Sequence, residues 1–302
     1  MTEMYVLDAV CNLFTPEVRD SRPDWTREFH SEKMKVAGDA LDGIPIDRHV
    51  EMLDEAGIDA ALLIAPKMGR RGLPDSWELS PSAVVNAVEA HPDRFRGLVG
   101  INPYDGVAGL RELQRCVEEY GFVGAHLYPH WFEMAPDHAM YYPFYAKCAE
   151  LGVPIQMQVG RCQRYSRDRP MPNVGFPGAV DTIACHIPEL TIVGIHVGWP
   201  WTAEMISVAD KHENVYIGTD AYAPKYLDPE LVHYISTWGS KKVIFGTDWP
   251  VIPFDRAVDE TLELGIPDDA LERLLSLNAM SIYRFAQTRH QASTQQTEGD
   301  TT

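Results

Sequence analysis

Positive charge is scarce in this chain. Its 302 residues carry 26 lysines and arginines against 44 aspartates and glutamates, a formal net charge of −18. Such a surface repels a nucleic-acid backbone and an anionic bilayer, so neither is expected as a partner. A small carboxylate-bearing substrate stays compatible where a local basic patch overrides the global field. Cysteine is sparse too: Cys11, Cys116, Cys148, Cys162 and Cys185 are odd in number and contain no CxxC pair. That argues against a disulfide framework or a zinc knuckle and suits reduced thiols in a cytoplasmic protein. The opening MTEMYVLDAV lacks the basic n-region and long apolar h-region of a secretory signal. No apolar run approaches the ~20 residues that cross a bilayer. No GxGxxG or GxxxxGK[ST] loop follows an apolar run, which speaks against nucleotide binding. No Ser/Gly linker or charge block divides the chain, so one domain is expected.

What is present is a regular alternation. Eight short apolar or β-branched runs occur in order: YVLDAVC, DAALLIAP, FRGLVGINP, FVGAHLYP, VPIQMQV, LTIVGIHVG, NVYIGTD and KVIFGTDWP. Between them lie amphipathic segments such as IDRHVEMLDEAG, PSAVVNAVEAHPD, GLRELQRCVEEYG and YYPFYAKCAELG, several closing with Gly before the next strand. Eight βα units in a chain of this size predict an α/β fold, a single-domain (β/α)8 TIM barrel over residues 1–286. The polar stretch at residues 287–302 reads as a disordered tail. Residues 13–45, after the first strand, form an unusually long connection with Trp25 and Phe29, read either as a lid over the barrel mouth or as an interface arm.

Catalytic groups of such a barrel belong at the C-terminal strand ends. That rule nominates Val10, Asn12, Asn102, His126, Tyr128, Gln156, Gln158, His196, Asp220, and Asp248 with Trp249. His196 and Asp248 stand out because each ends an apolar strand, where burial penalises an unpaired polar group. Together they can move a proton; singly, each could be a hydrogen-bonded rim residue or a cap. After the fifth strand, GRCQRYSRDRP brings Arg161, Arg164, Arg167 and Arg169 to the mouth. These could bind a carboxylate bidentately, or form a solvated loop or subunit contact. By simple alternation Asp8 shares the face of Val10 and Asn12, while Cys11 points outward to the helices.

These strand ends resemble the amidohydrolase-related family, in the branch that contains the aminocarboxymuconate-semialdehyde and resorcylate decarboxylases. The likeness runs from Leu7 to Phe285. LDAVCNLFTPE resembles the family's D-x-H-x-H-L-F strand, and GAHLYPHW with PFYAKCAELGVPIQMQVG its central section. TIVGIHVGWPW, NVYIGTDAY, VIFGTDWP and LSLNAMSIYRF resemble the motifs that follow. The resemblance implies a divalent metal, often zinc, at positions occupied here by Val10, Asn12, Gln158 and Asp248. Only Asp248 is a good ligand among them, so no metal cofactor is expected unless an altered set holds it, for example Asp8, His126, His196 and Asp248. The resemblance also marks His196 as catalytic and places His126 and Tyr128 where the family has lysine and histidine.

Two functions remain. In the first, the chain is a lyase or hydrolase in which His196 and Asp248 act as acid and base on a small carboxylate, by decarboxylation, C–C cleavage or lactone opening. His126, Tyr128, Gln158, Arg161, Arg164 and Trp249 would then bind the substrate. In the second, it is a supporting subunit paired with a metal-competent paralogous barrel, as in two-component monooxygenases of this family. A homo-oligomer, or a hetero-oligomer with that paralogue, is expected accordingly.

Overall fold

The computed structural model describes residues 4–36, 38–73, 75–164 and 170–285. All eight expected runs form strands of one parallel sheet: β1 (Leu7–Asn12), β2 (Ala60–Ala65), β3 (Phe95–Gly100), β4 (Gly124–Leu127), β5 (Ile155–Gln158), β6 (Ile192–Ile195), β7 (Val215–Gly218) and β8 (Val243–Ile244). The sheet closes on itself. Ala9 N donates to Phe245 O at 3.1 Å, Asp248 N to Val10 O at 2.8 Å, and Asn12 N to Trp249 O at 3.3 Å. The polar tail at residues 287–302 lies outside the described residues.

Two apolar layers follow from strands buried on both faces. Ala60, Leu62 and Ile64 point inward with Leu7, Val10, Leu98 and Ile195, while Ala61 and Leu63 point outward against helix residues such as Leu53 and Val84. Truncating one such buried leucine to alanine costs about 2–5 kcal/mol. The helices end as the sequence dictates. Tyr142–Leu151 stops at Gly152, whose φ of 65° suits the left-handed cap that glycine adopts without penalty. Among the described residues no helix is long and apolar enough to cross a membrane. None of the five cysteines is paired.

β1 departs from simple alternation. Asp8 pairs with Ala61 and Cys11 with Leu63, so Ala9 and Val10 together face Leu62 in a β-bulge. Asp8 therefore shares the outer face with Cys11 and not the inner face of Val10 and Asn12. Its carboxylate accepts from Val10 N (3.1 Å), Thr247 N (3.0 Å) and Thr247 Oγ1 (2.6 Å), across the seam between β1 and β8. Full burial pushes its carboxyl up to about 7. Asp8 stitches the barrel shut and does not join an alternative metal set.

Residues 13–36 and 38–45 are largely helical, with short helical turns at Pro16–Ser21, Trp25–Glu28, Phe29–Lys33 and Asp39–Asp42. They fold over the C-terminal mouth. A second small element, absent from the sequence expectation, is the antiparallel ribbon Lys67–Met68 with Trp77–Glu78.

Candidate active site

A cavity of about 120 Å³ opens at the C-terminal mouth. Its floor carries Asn12, Tyr128, Gln158, His196 and Asp248, and its roof Arg22, Trp25, Thr26, Phe29, His30 and Met34. Its size is somewhat below the roughly 150 Å³ of an apolar cavity that accepts benzene. The residues that terminate β6, β7 and β8 share an uncommon backbone state. His196 (φ 68°), Ala221 (φ 66°) and Asp248 (φ 54°) are all left-handed without being glycine. Each such residue costs on the order of 1–3 kcal/mol, and three around one mouth mark a place where side-chain direction outweighs backbone comfort.

Those turns bring three titratable groups together. His196 Nε2 lies 3.2 Å from Asp220 Oδ2 and 3.9 Å from Asp248 Oδ2. Asp220 Oδ1 accepts from the His196 backbone N–H at 3.1 Å, whereas its Oδ2 has no aligned hydrogen-bond donor. Desolvation raises both carboxyls: Asp248 to about 7, and the fully enclosed Asp220 well above the usual range, where the Asp248 charge raises it further. Burial favours the neutral imidazole of His196. Two carboxyls and an imidazole at this spacing hold a proton near neutral pH and can pass it between them.

Two glutamines on the inner face of β5 orient the flanking histidines. Gln158 Nε2 meets His196 Nδ1 at 3.0 Å, and Gln156 Nε2 meets His126 Nδ1 at 2.9 Å. The Gln156 amide is itself fixed, because Tyr283 donates to its Oε1 at 2.9 Å. An amide N–H on Nδ1 leaves the ring proton on Nε2, so His196 presents N–H toward the two carboxyls.

The remaining expected residues divide. Tyr128, Gln158, Arg161 and Arg164 line the cavity. His126 is 1% exposed beneath Tyr128, with ring centroids 4.3 Å apart, and does not reach the cavity wall. Trp249 also departs from the expectation. The left-handed turn at Asp248 throws it outward, where it stacks on Phe254 (5.3 Å, 14° between planes) and meets His49 at 4.7 Å. Asn102 caps a turn through Tyr104 N at 3.0 Å. Arg161 lies over Trp199 at the rim. Arg164 is sandwiched by Trp25 (4.0 Å) and Trp131 (5.1 Å), and its charge is already paired with Asp75 at 2.9 Å. Arg167 and Arg169 lie outside the described residues.

A further arginine without a carboxylate partner among the described residues is one that position along the strands could not nominate. Arg22 lines the cavity from the roof, its guanidinium over Trp77 (4.4 Å) and Phe14 (5.0 Å). Its Nε is buried without an acceptor, and no carboxylate pairs with it among the described residues. Desolvation lowers it to about 10 despite the partial compensation from Tyr128 and Asp248 across the cavity. The signal available in sequence was an arginine within the long aromatic-bearing connection after β1.

The positions that the resemblance assigns to a metal carry other contacts. The Val10 side chain packs against Gly246. Asn12 Nδ2 donates to Asp248 Oδ1 and to Trp249 O, both at 2.9 Å, so an N–H faces the carboxylate lone pair that would bind an ion. Among the described residues no three ligand atoms of histidine, cysteine or carboxylate converge within 4.8 Å at the mouth.

Known proteins resemble this chain over most of its length. The amidohydrolase family profile matches residues 74–285. The chain is 23% identical to gamma-resorcylate decarboxylase of Polaromonas sp. over 79% of its own length and 87% of that protein's. It is 29% identical to 2-keto-4-carboxy-3-hexenedioate hydratase of Sphingobium sp. over 37% of its length and 38% of that protein's. Among solved structures, an uncharacterized TIM-barrel protein of Bordetella bronchiseptica superposes with a TM-score of 0.73 at 22% identity, covering 93% of this chain and 99% of that one. A dihydroxybenzoic acid decarboxylase of Polaromonas sp., with bound manganese and 2-nitroresorcinol, superposes with a TM-score of 0.66 at 20% identity, covering 94% and 97%.

Proposed function

The chain belongs to the amidohydrolase family, as a barrel related to aromatic carboxylate decarboxylases, and on that premise we propose that it decarboxylates a small ring carboxylate without the divalent metal of its relatives. The observation that carries this reading is the uncommitted Arg22 facing the His196–Asp220–Asp248 cluster across the cavity at the mouth. The donor set does not fit the expected metal, since valine offers no lone pair and Asn12 turns its amide nitrogen to Asp248.

The chemistry follows from the raised carboxyls. Asp248, whose side chain is 15% exposed, keeps a proton to about pH 7 and faces the cavity. That proton adds to the ring carbon that bears the carboxylate, forming a C–H bond from the ring's π electrons. The C–C bond to the carboxylate then breaks, its electron pair returns to the ring, and CO2 leaves. The Asp248 carboxylate left behind takes a proton from solvent or, through His196, from Asp220. Arg22 serves best on a second anionic substituent, because an arginine on the departing carboxylate would hold its charge in place and oppose the loss of CO2. Aromatic walls from Trp25, Phe29 and Trp131 favour a flat substrate.

The test is turnover of a panel of hydroxylated benzoates, beginning with 2,6-dihydroxybenzoate, by protein stripped with chelator, with CO2 release as the readout. Chelator-resistant activity that disappears in Asp248→Asn is the expected result. Activity that vanishes on chelation and returns with manganese refutes the metal-free part. A pure protein inert alone but active with a paralogous barrel would establish the supporting-subunit reading instead.

A further inference from the structure

A second group of ligating side chains lies on the outer surface, away from the mouth. Asp181 and Cys185 are one turn apart on the helix Gly178–His186, and His212 caps the C-terminus of the neighbouring helix Thr202–Lys211. One ligand atom from each of these three residues falls within 4.8 Å of the other two, the only such triplet among the described residues. His212 Nε2 lies 2.7 Å from Asp181 Oδ1 and 4.0 Å from Cys185 Sγ. Tetrahedral zinc, with bonds of about 2.0–2.3 Å, sets its ligand atoms roughly 3.3–3.8 Å apart, so the two His212 distances need adjustments well under 1 Å to match the face of a tetrahedron.

A cation already sits against two members of the group. Lys211 Nζ sits 2.6 Å from Asp181 Oδ1 and 4.0 Å from Cys185 Sγ. Its side chain is 56% exposed, so it can swing into solvent at little cost. His212, by contrast, is fixed: Val208 O accepts from its backbone N–H, and its own carbonyl accepts from Lys242 Nζ at 2.7 Å. Beside the cluster a surface depression lined by Asp181, Glu204, Ser207 and Lys211 leaves room for a water as fourth ligand.

We propose that Asp181, Cys185 and His212 form a binding site for a zinc-class dication, which Lys211 mimics while the site is free. On binding, the thiol proton of Cys185 goes to solvent, a sulfur–metal bond forms, and the Lys211 ammonium leaves Asp181. The ion then joins two helices that flank the loops carrying Arg161 and His196. Its donors belong to none of the positions used at the mouth.

The test uses the full chain without an affinity tag, stripped of metal and titrated with Zn²⁺ by calorimetry and with Co²⁺ by absorbance. One equivalent per chain is expected, with a thiolate-to-cobalt charge-transfer band. Cys185→Ser should abolish the band, His212→Ala should weaken Zn²⁺ binding about tenfold or more, and Lys211→Met should tighten it. Melting temperatures of the metal-free variants establish that each is folded, and at one Zn²⁺ concentration the rise in melting temperature should be largest in the wild type and Lys211→Met and smaller in Cys185→Ser and His212→Ala. Absence of binding by the wild type, or a cobalt band unchanged in Cys185→Ser, overturns the assignment.

Discussion

Replacing Arg22 with methionine should make the free protein more stable and less able to bind its ligand. The guanidinium is held at about 10 by burial, and the drop from its ordinary value corresponds to about 3 kcal/mol against the charged form. Stacking over Trp77 at 4.4 Å and Phe14 at 5.0 Å returns roughly 1–2 kcal/mol. A net cost of about 1–2 kcal/mol remains in the unliganded protein, and methionine fills much of the same space without it. Thermal denaturation should therefore rise by about 2–4 °C in Arg22→Met. Binding of a ring carboxylate with a second anionic group, followed by calorimetry, should weaken by about 2–4 kcal/mol, since a buried charge partner is lost. A structural arginine predicts the reverse on the first measurement, namely a lower melting temperature. A stability loss together with unchanged ligand affinity would refute the assignment of Arg22 to the substrate.

Four further outcomes follow. Asp248→Asn should lower kcat about 10²–10⁴-fold with a smaller effect on KM, and wild-type kcat should fall as pH rises through about 7, where the Asp248 proton is lost. Asp8 keeps its proton in the fold to about pH 7 while the unfolded chain loses it near the ordinary carboxyl value, so the native state binds more protons in that interval. Stability should then decrease as pH climbs from about 4 to about 7, by up to about 4 kcal/mol from this group, and urea midpoints of Asp8→Asn should depend less on pH. Gln158→Leu should release the His196 ring, seen by ¹⁵N NMR as loss of a fixed Nε2–H tautomer together with lower kcat. The triple variant Val10→His, Asn12→His and Gln158→His, built on Cys185→Ser, should gain one tightly bound manganese or zinc. Failure to gain it would mean that more than the ligand types has changed at the mouth.

The barrel was legible because runs such as Ala60–Ala65 are apolar on both faces, which a parallel sheet wrapped in helices requires. His196, Asp220 and Asp248 were legible for a related reason, since polar groups ending such runs have few places to point except the mouth. Asp8 was misplaced by counting in twos. A single extra residue at Ala9–Val10 reverses every side chain on one side of it, and nothing in LDAVCN announces the bulge. Trp249 was misplaced by adjacency to Asp248, whose left-handed backbone sends its successor into the outer layer. Arg22 was missed because its role depends on how short helical turns fold back over the barrel, a long-range arrangement with no local periodicity to read. Arg164 carried the right chemistry for an anion, but a distant residue, Asp75, had already claimed its charge.

The stitch between Asp8 and Thr247 also sets a timetable. The two residues are 239 positions apart, so the first strand made is among the last to be completed. While the chain is being synthesised, β1 can pair with β2 on one side, yet its other edge stays open until β8 has left the ribosome. Throughout that interval Asp8 is an ordinary solvated carboxylate, and the apolar side chains beside it face an unfinished ring. Ring closure is thus a late, chain-length-dependent event in which one carboxyl loses its water and meets Thr247. Until then the outer edge of β1 is an unpaired strand edge of the kind that invites mispairing.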